Sequence, residues 1–459
     1  MGFPMSIVAP KERQHLSADA LFHLVRSGFA TMPDPRCDDV DRSFTDALMA
    51  AFAMFSRKAP ARLALDKERA EGTVHTVYGM ERVPCDTPMR AILDPVSPQG
   101  LRPVCKSILR QLQRGKALEA MAFLDGHSVL ALDGTGYFSS TTMHGASCWH
   151  TVHRNGSVTY AHQRLGAAII HPAMRAVIPL MPDPIGQHDG TGKNACERHA
   201  AKRFIIQRRQ DHPHLQGLVT DDSLRSPAPH IETLHHPARH SILGGTEGDH
   251  AFLFQQVPAA EHAGRVTYDA RHDRAAGLVH RCWCVNDVPL HASTVEVRVN
   301  CIAYGEMRQD KVHHCRWVTD LRVSRRNVLH LMRGGRARWK SAHETCTTLQ
   351  NQGDHFAHPY GHGEQHLSVV FAMLMMLAFV VDQTPQRCCA LVQAVWAKLG
   401  STRLLGERMS AWLYDSALES MGQLCEALLY GFKKSSPLVA IEASSSLSLA
   451  SVTSYHQTR

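Results

Sequence analysis

The positions of hydrophobic and polar residues divide the chain into helical and strand-like stretches. Between about residues 17 and 124, apolar residues recur at helical spacing, as in DALFHLVRSGFA and FTDALMAAFAMFSRKAP. Pro33, Pro35 and Pro60 interrupt this pattern, because proline lacks a backbone donor and ends most helices. We therefore predict a helical N-terminal region.

From His127 onward the pattern changes to short β-type runs. SVLALDGTGYF, VTYAHQRLGAAIIHP and AVIPLMPDPI are each bounded by turn residues, which predicts three strands, and the first of them is expected to end at Asp133. KNACERHAAKRFIIQRRQDHP has helical spacing, and LQGLVTDDSL predicts another strand that ends in two acids, Asp221 and Asp222. The predicted order is β, β, β, α, β, so this part of the chain is α/β.

The second half of the chain begins with alternating segments that predict antiparallel strands, such as STVEVRVNCIAYG and KVHHCRWVTDL. Helical spacing returns in RRNVLHLMRGGRARWKSAHETCTTLQNQ and continues to Phe432. The longest apolar run, Val369–Val381, is well short of the roughly 20 residues that cross a bilayer, so it predicts a buried helix. The Ser-rich end, Ser435–Arg459, predicts a disordered tail.

Composition adds the class of protein. The 459 residues are 44% hydrophobic and 20% charged, which is typical of a folded protein with two or three domains. A net charge of +8 and 31 His suit a polyanionic partner. The 13 Cys form no CxxC pair, and no basic and apolar secretion signal is visible at the N-terminus. We therefore expect a cytoplasmic protein with no membrane contact.

The acids that close apolar runs call for an explanation. Asp133 and the pair Asp221 and Asp222 each follow residues that should be buried in a sheet. One interpretation is a turn or a helix cap, for which Asp is well suited. The other is a phosphoryl-transfer site, in which clustered carboxylates hold two divalent ions about 3.5 to 4 Å apart.

Five long segments, in order, resemble bacterial insertion-sequence transposases of the DDE type. They are LDGTGYFSS, KNACERHAAKR, VTDDSL, RGGRARWKSAHET and YGHGEQHLSVVFAMLMMLAFVVDQ. The resemblance extends to FAMFSRKAP and CDTPMR in the N-terminal region and to YDSALESMGQLCEALLYGFKKSSP near the C-terminus. It is nearest to transposases whose RNase H-like catalytic core is interrupted by a β-rich insertion. The resemblance therefore implies an α/β fold with an RNase H-like mixed sheet, flanked by helical N- and C-terminal regions.

The resemblance also implies a triad of acids that holds two Mg²⁺ or Mn²⁺ ions. Asp133 takes the first place. Asp222 fits the second place better than Asp221, because the family pattern is an acid, the catalytic Asp, a small residue and Leu. Adjacent strand residues also face opposite ways, so both cannot point into one site.

The third acid has two possible positions. The family motif places Glu four residues after the Arg of Arg-Trp, and Ala342 stands there after Arg338-Trp339. Glu344 is the nearest acid, and it takes the position if the alignment is anchored on the residues that follow. Two helical residues rotate a side chain by about 200°, so Glu344 cannot replace an acid at 342 without a shift of helix register. Glu344 is our working assignment, and loss of the third acid is the alternative.

Basic residues near this segment predict DNA contact. No acid occurs from Leu321 to His343, so its basic side chains can bind phosphates; a solvated helix face is the alternative. The residues that we predict to bind DNA are Arg333, Arg336, Arg338 and Lys340, with Lys202 and Arg203 as a second patch.

Clustered His and Cys residues are a weaker signal. One group is His280, Cys282, Cys284, His313, His314 and Cys315. Its spacing departs from that of ordinary zinc sites, so chance and buried Cys explain it adequately. The other group is His355, His358, His362 and His366, which has helical spacing, but Pro359, Gly361 and Gly363 argue against an unbroken helix there.

The resemblance predicts a transposase that binds the terminal inverted repeats of its element and target DNA. It is expected to cleave and join DNA strands as a homodimer in a synaptic complex associated with the nucleoid. The alternatives are a catalytically decayed DNA-binding remnant and a zinc-dependent hydrolase. The predicted regions are 1–125 (helical, DNA-binding), 126–247 (first part of the core), 248–318 (β-rich insertion, expected outside the core), 319–383 (third-acid helix and buried helix), 384–434 (helical) and 435–459 (tail).

Overall fold

A computed structural model provides the fold. The residues that it describes are 14–36, 42–58, 73–145, 148–186, 189, 193–221, 242–245, 251–308, 311–341 and 360–431. The predicted tail at 435–459 lies outside these ranges, and the division into domains stays a prediction.

The N-terminal part is helical, as the spacing predicted. Ser17 and Ser43 cap the first two helices, each accepting a hydrogen bond from a backbone N–H three residues on. Short 3₁₀ helices lie at Gln14–Leu16, Pro98–Leu101 and Glu119–Met121. The helices are α1 (Ala18–Ala30), α2 (Phe44–Ser56), α3 (Val74–Val77), α4 (Asp86–Leu93) and α5 (Arg102–Arg114).

The strands form one mixed sheet in the order β3-β4-β2-β6-β7-β11-β10-β9-β8, with β1 beside β2 and β5 beside β4. Its first six strands are β1 (Ala122–Leu124), β2 (His127–Ser140), β3 (Trp149–Val152), β4 (Val158–Ile170), β5 (Ile178–Ile185) and β6 (Gly217–Asp221). The remaining five are β7 (Ile242–Gly245), β8 (Thr267–Asp273), β9 (Leu278–His291), β10 (Thr294–Arg308) and β11 (Lys311–Thr319). Helix α6 (Lys193–Asp211) precedes β6 and ends before Pro213, as predicted.

Two details of the predicted strands were wrong. β2 does not end at Asp133 but continues to Ser140, because β4 pairs with it along almost its whole length. The β-rich region was expected outside the core, yet β11 pairs with β7, and β7 pairs in parallel with β6. This region therefore extends the core sheet. It also begins with a helix, α7 (Ala251–His262), before its antiparallel strands.

The helices after the sheet are α8 (Val328–Arg336), α9 (Trp339–Ser341), α10 (Leu367–Cys388), α11 (Ala390–Leu399), α12 (Thr402–Asp415) and α13 (Met421–Tyr430). α10 is long and apolar enough to cross a membrane by length and composition, but 78% of its most apolar window is buried inside the protein. It packs on α2 and on β5. The prediction of a buried helix is confirmed.

One side chain from the N-terminal region holds the beginning of α10. The carboxylate of Asp94, directly after α4, accepts backbone hydrogen bonds of 2.9–3.1 Å at this end, and the donors are Glu364, Gln365, His366 and Leu367. Burial alone would raise the pKa of Asp94, but these donors outweigh it, and the pKa is lowered. The negative charge also suits the positive end of the helix dipole.

We expect Asp94→Ala to lower the free energy of unfolding by about 1–2 kcal/mol, because it removes a helix cap. The contribution of the charged cap is present above the unfolded pKa of about 3.9 and is lost as pH falls through the lower folded pKa. Urea denaturation at pH 7 measures the loss. Asp94→Asn, which keeps an acceptor oxygen, is the control and should lose less; equal stability of wild type and Asp94→Ala would contradict the cap.

Candidate active site

Asp133 lies on a central strand of the sheet. β2 pairs in parallel with β6 from Ser128↔Gly217 to Ala131↔Thr220 and antiparallel with β4, where Asp133 lies opposite Gly166. The residues of β2 before Asp133 are buried from Ser128 to Leu132, and Asp133 is the first that reaches solvent. The carboxylate therefore lies just past the last parallel pair, beside the end of β6.

A second chain segment approaches Asp133 from outside the sheet. Nη1 of Arg338 lies 3.6 Å from Oδ1 of Asp133, and the two side chains are 28% and 27% exposed. Arg338 stands between α8 and α9, and α9 contacts both β2 and β4. The opposite charges of these half-buried side chains attract each other. The contact places Arg338, four residues before Ala342 in the sequence, next to the Asp133 carboxylate.

The position of α8 depends on a close contact with β1. The ring of His330 stacks on Phe123 at 4.0 Å, and its Nε2 donates to the Phe123 carbonyl oxygen at 2.9 Å. A Cβ atom at Gly334 would lie only 2.9 Å from the Phe123 ring. Glycine at 334 therefore allows the helix to approach this closely.

Lys340 fixes the chain just beyond Arg338. Its Nζ donates to three backbone carbonyl oxygens that follow β4, those of His171, Pro172 and Met174, at 2.6–3.0 Å. Three acceptors match the three protons of the ammonium group. The described chain therefore reaches Ser341 at a fixed place on the sheet.

The other two predicted acids, Asp222 and Glu344, lie outside the described residues, as does Ala342. Asp222 follows directly after Asp221, which ends β6 and is half-buried. The roles of all three acids stay predictions.

The predicted DNA-binding residues differ in their surroundings. Arg333 is exposed on α8. Arg336 forms an ion pair with Glu306 of β10, which lowers the pKa of Glu306 mainly through this hydrogen bond. Arg338 contacts Asp133, and Lys340 donates to the carbonyl groups after β4. DNA binding by these four residues stays a prediction.

Arg203 of α6 belongs to a buried ionic network. Its Nε donates to Oδ2 of Asp183 at 2.7 Å and its Nη1 to Asp189, and these carboxylates are only 1% and 2% exposed. Burial would lower the pKa of Arg203, but the hydrogen bonds to Asp189 and Asp183 raise it. Arg102 also contacts Asp183 at 3.0 Å. Arg203 thus neutralises buried acids, whereas its neighbour Lys202 is exposed.

An acid that the sequence did not single out approaches β2 from the face of the sheet opposite to the Asp133 side chain. A Cβ atom at Gly134 would come 2.5–2.6 Å from the carboxyl group of Glu197 on α6. Since adjacent strand residues face opposite ways, Glu197 lies across the sheet from the Asp133 side chain. No sequence signal marks it, because the approach depends on how α6 packs on the sheet.

The His and Cys residues around β9 to β11 do not converge on a metal position in the described part of the chain, where Nδ1 of His280 contacts the Tyr304 hydroxyl at 2.7 Å. His355 and His358 lie outside the described ranges. Ligand atoms of Cys148, His162 and His362 do converge, within 4.8 Å of one another. Burial, together with the neighbouring His362, lowers the pKa of His162 to about 4, so its ring is neutral at pH 7. Sequence reasoning missed this group because its members are far apart in the chain.

Comparisons with known proteins return few matches. No protein-family model matches the chain, and no curated protein matches it significantly. A cryo-EM structure of a piggyBac transposase synaptic complex with hairpin DNA is similar at a TM-score of 0.43 and 10% identity, over 93% of this chain and 87% of that one.

Substitution of the adjacent residues Lys202 and Arg203 tests whether Arg203 has a structural role. We expect Arg203→Ala to lower the free energy of unfolding by up to about 3 kcal/mol, because it leaves buried carboxylates without their main partner, although Arg102 still contacts Asp183. Lys202→Ala, the matched control, should change stability by less than about 0.5 kcal/mol. Urea denaturation of both variants measures this, and equal stabilities would contradict a structural role.

Proposed function

We propose that this protein is a DNA transposase of an insertion sequence, which binds terminal inverted repeats and catalyses metal-dependent strand cleavage and strand transfer. The observation that supports it best is the parallel pairing of β2 with β6. It brings Asp133 beside the end of the strand that Asp222 follows in the sequence. The five ordered motifs that resemble DDE transposases provide the second line of support.

In this proposal Asp133, Asp222 and Glu344 hold two Mg²⁺ or Mn²⁺ ions. Of the three, the described Asp133 suits such an ion, because its half-buried carboxylate offers hard oxygen donors and remains accessible to solvent. Such ions, when bound, activate a water or a 3′ hydroxyl and stabilise the negative charge of the phosphoryl oxygens.

The chain's own residues orient the site. Arg338 holds the Asp133 carboxylate through an opposite charge. Lys340 attaches the chain that precedes Ala342 to the carbonyl groups after β4. Both are positioning residues in this proposal, because neither needs to touch DNA to keep the acids together.

DNA binding is proposed for the exposed basic side chains first. Arg333 and Arg336 are one helical turn apart on α8, and Lys202 is exposed on α6. Phosphate contacts by such residues would not depend on base sequence. Pairing of two element ends implies a homodimer, and we place the protein in the cytoplasm with the nucleoid.

A decayed, DNA-binding remnant is the second candidate. The observation that favours it is Ala342, which stands where the family pattern expects the third acid. This candidate keeps DNA binding and lacks strand cleavage, so activity measurements separate it from the transposase.

The proposed second acid can be tested against its neighbour. We expect Asp222→Asn and Asp133→Asn each to reduce Mg²⁺-dependent cleavage of inverted-repeat DNA to background, because each removes a charged ligand. DNA affinity, measured by gel shift, should be kept. Asp221→Asn is the matched control and should cleave like the wild type. If Asp221→Asn abolished cleavage and Asp222→Asn cleaved like the wild type, Asp221 and not Asp222 would be the second acid.

The third acid is tested by two single substitutions. If Glu344 is the ligand, Glu344→Gln abolishes cleavage, whereas Ala342→Glu does little or disturbs packing. If the copy has decayed, Glu344→Gln changes nothing, and Ala342→Glu can restore a complete set of acids. Cleavage assays beside the wild type distinguish these cases. A rise in activity with Ala342→Glu alone would refute Glu344.

A further inference from the structure

Three side chains from distant parts of the chain meet beside β4. Sγ of Cys148, just before β3, lies 3.5 Å from Nε2 of His162 and 3.2 Å from Nε2 of His362. The two ring nitrogens are 3.1 Å apart. Cys148 and His162 are buried, and His362 is half-buried. The three ligand atoms thus form a compact triangle.

The edges of this triangle fit one tetrahedral metal ion. With Zn–S near 2.3 Å and Zn–N near 2.0–2.1 Å, tetrahedral angles place neighbouring ligand atoms about 3.3–3.6 Å apart. The observed edges of 3.1–3.5 Å agree within a few tenths of an ångström. Thiolate and imidazole donors favour zinc over Mg²⁺, which prefers oxygen.

The surroundings orient the rings toward the centre of the triangle. Nδ1 of His362 donates to the carbonyl oxygen of Gly363 at 2.9 Å, so Nε2 is the ring nitrogen left to face a metal ion. The Tyr137 ring stacks on His162 at 5.7 Å. A Cβ atom at Gly145 would lie 2.9 Å from Cε1 of His362, so glycine makes room for this ring.

Each of the three ligand atoms can offer a lone pair. A cation at the centre of the triangle would accept a lone pair from all three atoms at once.

We propose that Cys148, His162 and His362 bind one zinc ion, with water as the fourth ligand on the side where His362 reaches solvent. On binding, the Cys148 thiol releases its proton to solvent, and the thiolate and both neutral rings donate their lone pairs. No electron is transferred, and zinc keeps its charge.

This site is separate from the Asp133 carboxylate. On β4, His162 lies opposite Phe138 of β2, and Gly166 lies opposite Asp133. Gly166 is four residues after His162, so the two positions are about 13 Å apart along β4. A bound zinc ion would join the segment before α10 to β4, next to the Asp94 cap. The proposal does not depend on transposition, and its failure would leave the proposed function untouched.

The test uses the full chain without an affinity tag, dialysed after loading with Zn²⁺ or Co²⁺. We expect one zinc per chain by elemental analysis and, for Co²⁺, a thiolate charge-transfer absorption band. Cys148→Ala should lose this band and the stoichiometric zinc. His362→Ala, at a half-buried position that folding tolerates better, should weaken zinc binding at least about tenfold.

Cys301→Ala is the matched control, because Cys301 is also buried, on β10. It should keep both the band and the zinc. Wild-type protein that retains no zinc, or a cobalt–thiolate band that survives in Cys148→Ala, would overturn the proposal. Zinc that is retained without a thiolate band would show binding by other His residues only and would also overturn it.

Discussion

Burial of α10 is the constraint on which the rest of the fold depends. This helix is apolar on all sides, so it is stable only where protein covers its whole circumference. The N-terminal helix α2 covers one side, and strand β5 covers another. The N-terminal helices are therefore part of the same hydrophobic core as the sheet, although more than 200 residues separate them from α10 in the sequence.

Periodicity predicted the elements well and their tertiary partners poorly. The helices α1, α2, α6 and α10 and the strands β2, β4, β5 and β6 lie where apolar spacing placed them. The end of β2 was wrong because the run after Asp133 becomes polar, whereas its backbone still pairs with β4. Hydrogen bonding to a neighbouring strand continues independently of side-chain polarity, and the sequence pattern does not report it.

For the candidate site residues as well, the sequence indicates positions better than tertiary partners. The position of Asp133 beside the end of β6 could be anticipated, because both strands are short apolar runs that precede an acid. The role of Arg203 could not, because its acids, Asp183 and Asp189, look like ordinary loop and strand-end residues in the sequence. The triangle of Cys148, His162 and His362 was equally hidden, since zinc motifs are recognised by short spacing and these three residues lie far apart in the chain. Because Arg203 is engaged with buried acids, the basic composition overstates the positive charge that is exposed at the surface.

The parallel pairing of β2 with β6 also affects when the fold is completed. Its partners, such as Ala131 and Thr220, are far apart in the chain, and contacts of this kind form late because loop closure must precede them. The antiparallel pair of β2 and β4 forms between residues that are much nearer in the chain. At a synthesis rate of about 5–20 residues per second, β6 leaves the ribosome roughly 4 to 20 seconds after Asp133. During that interval one edge of β2 has no β6 to pair with, so a growing chain is exposed there to wrong strand pairing.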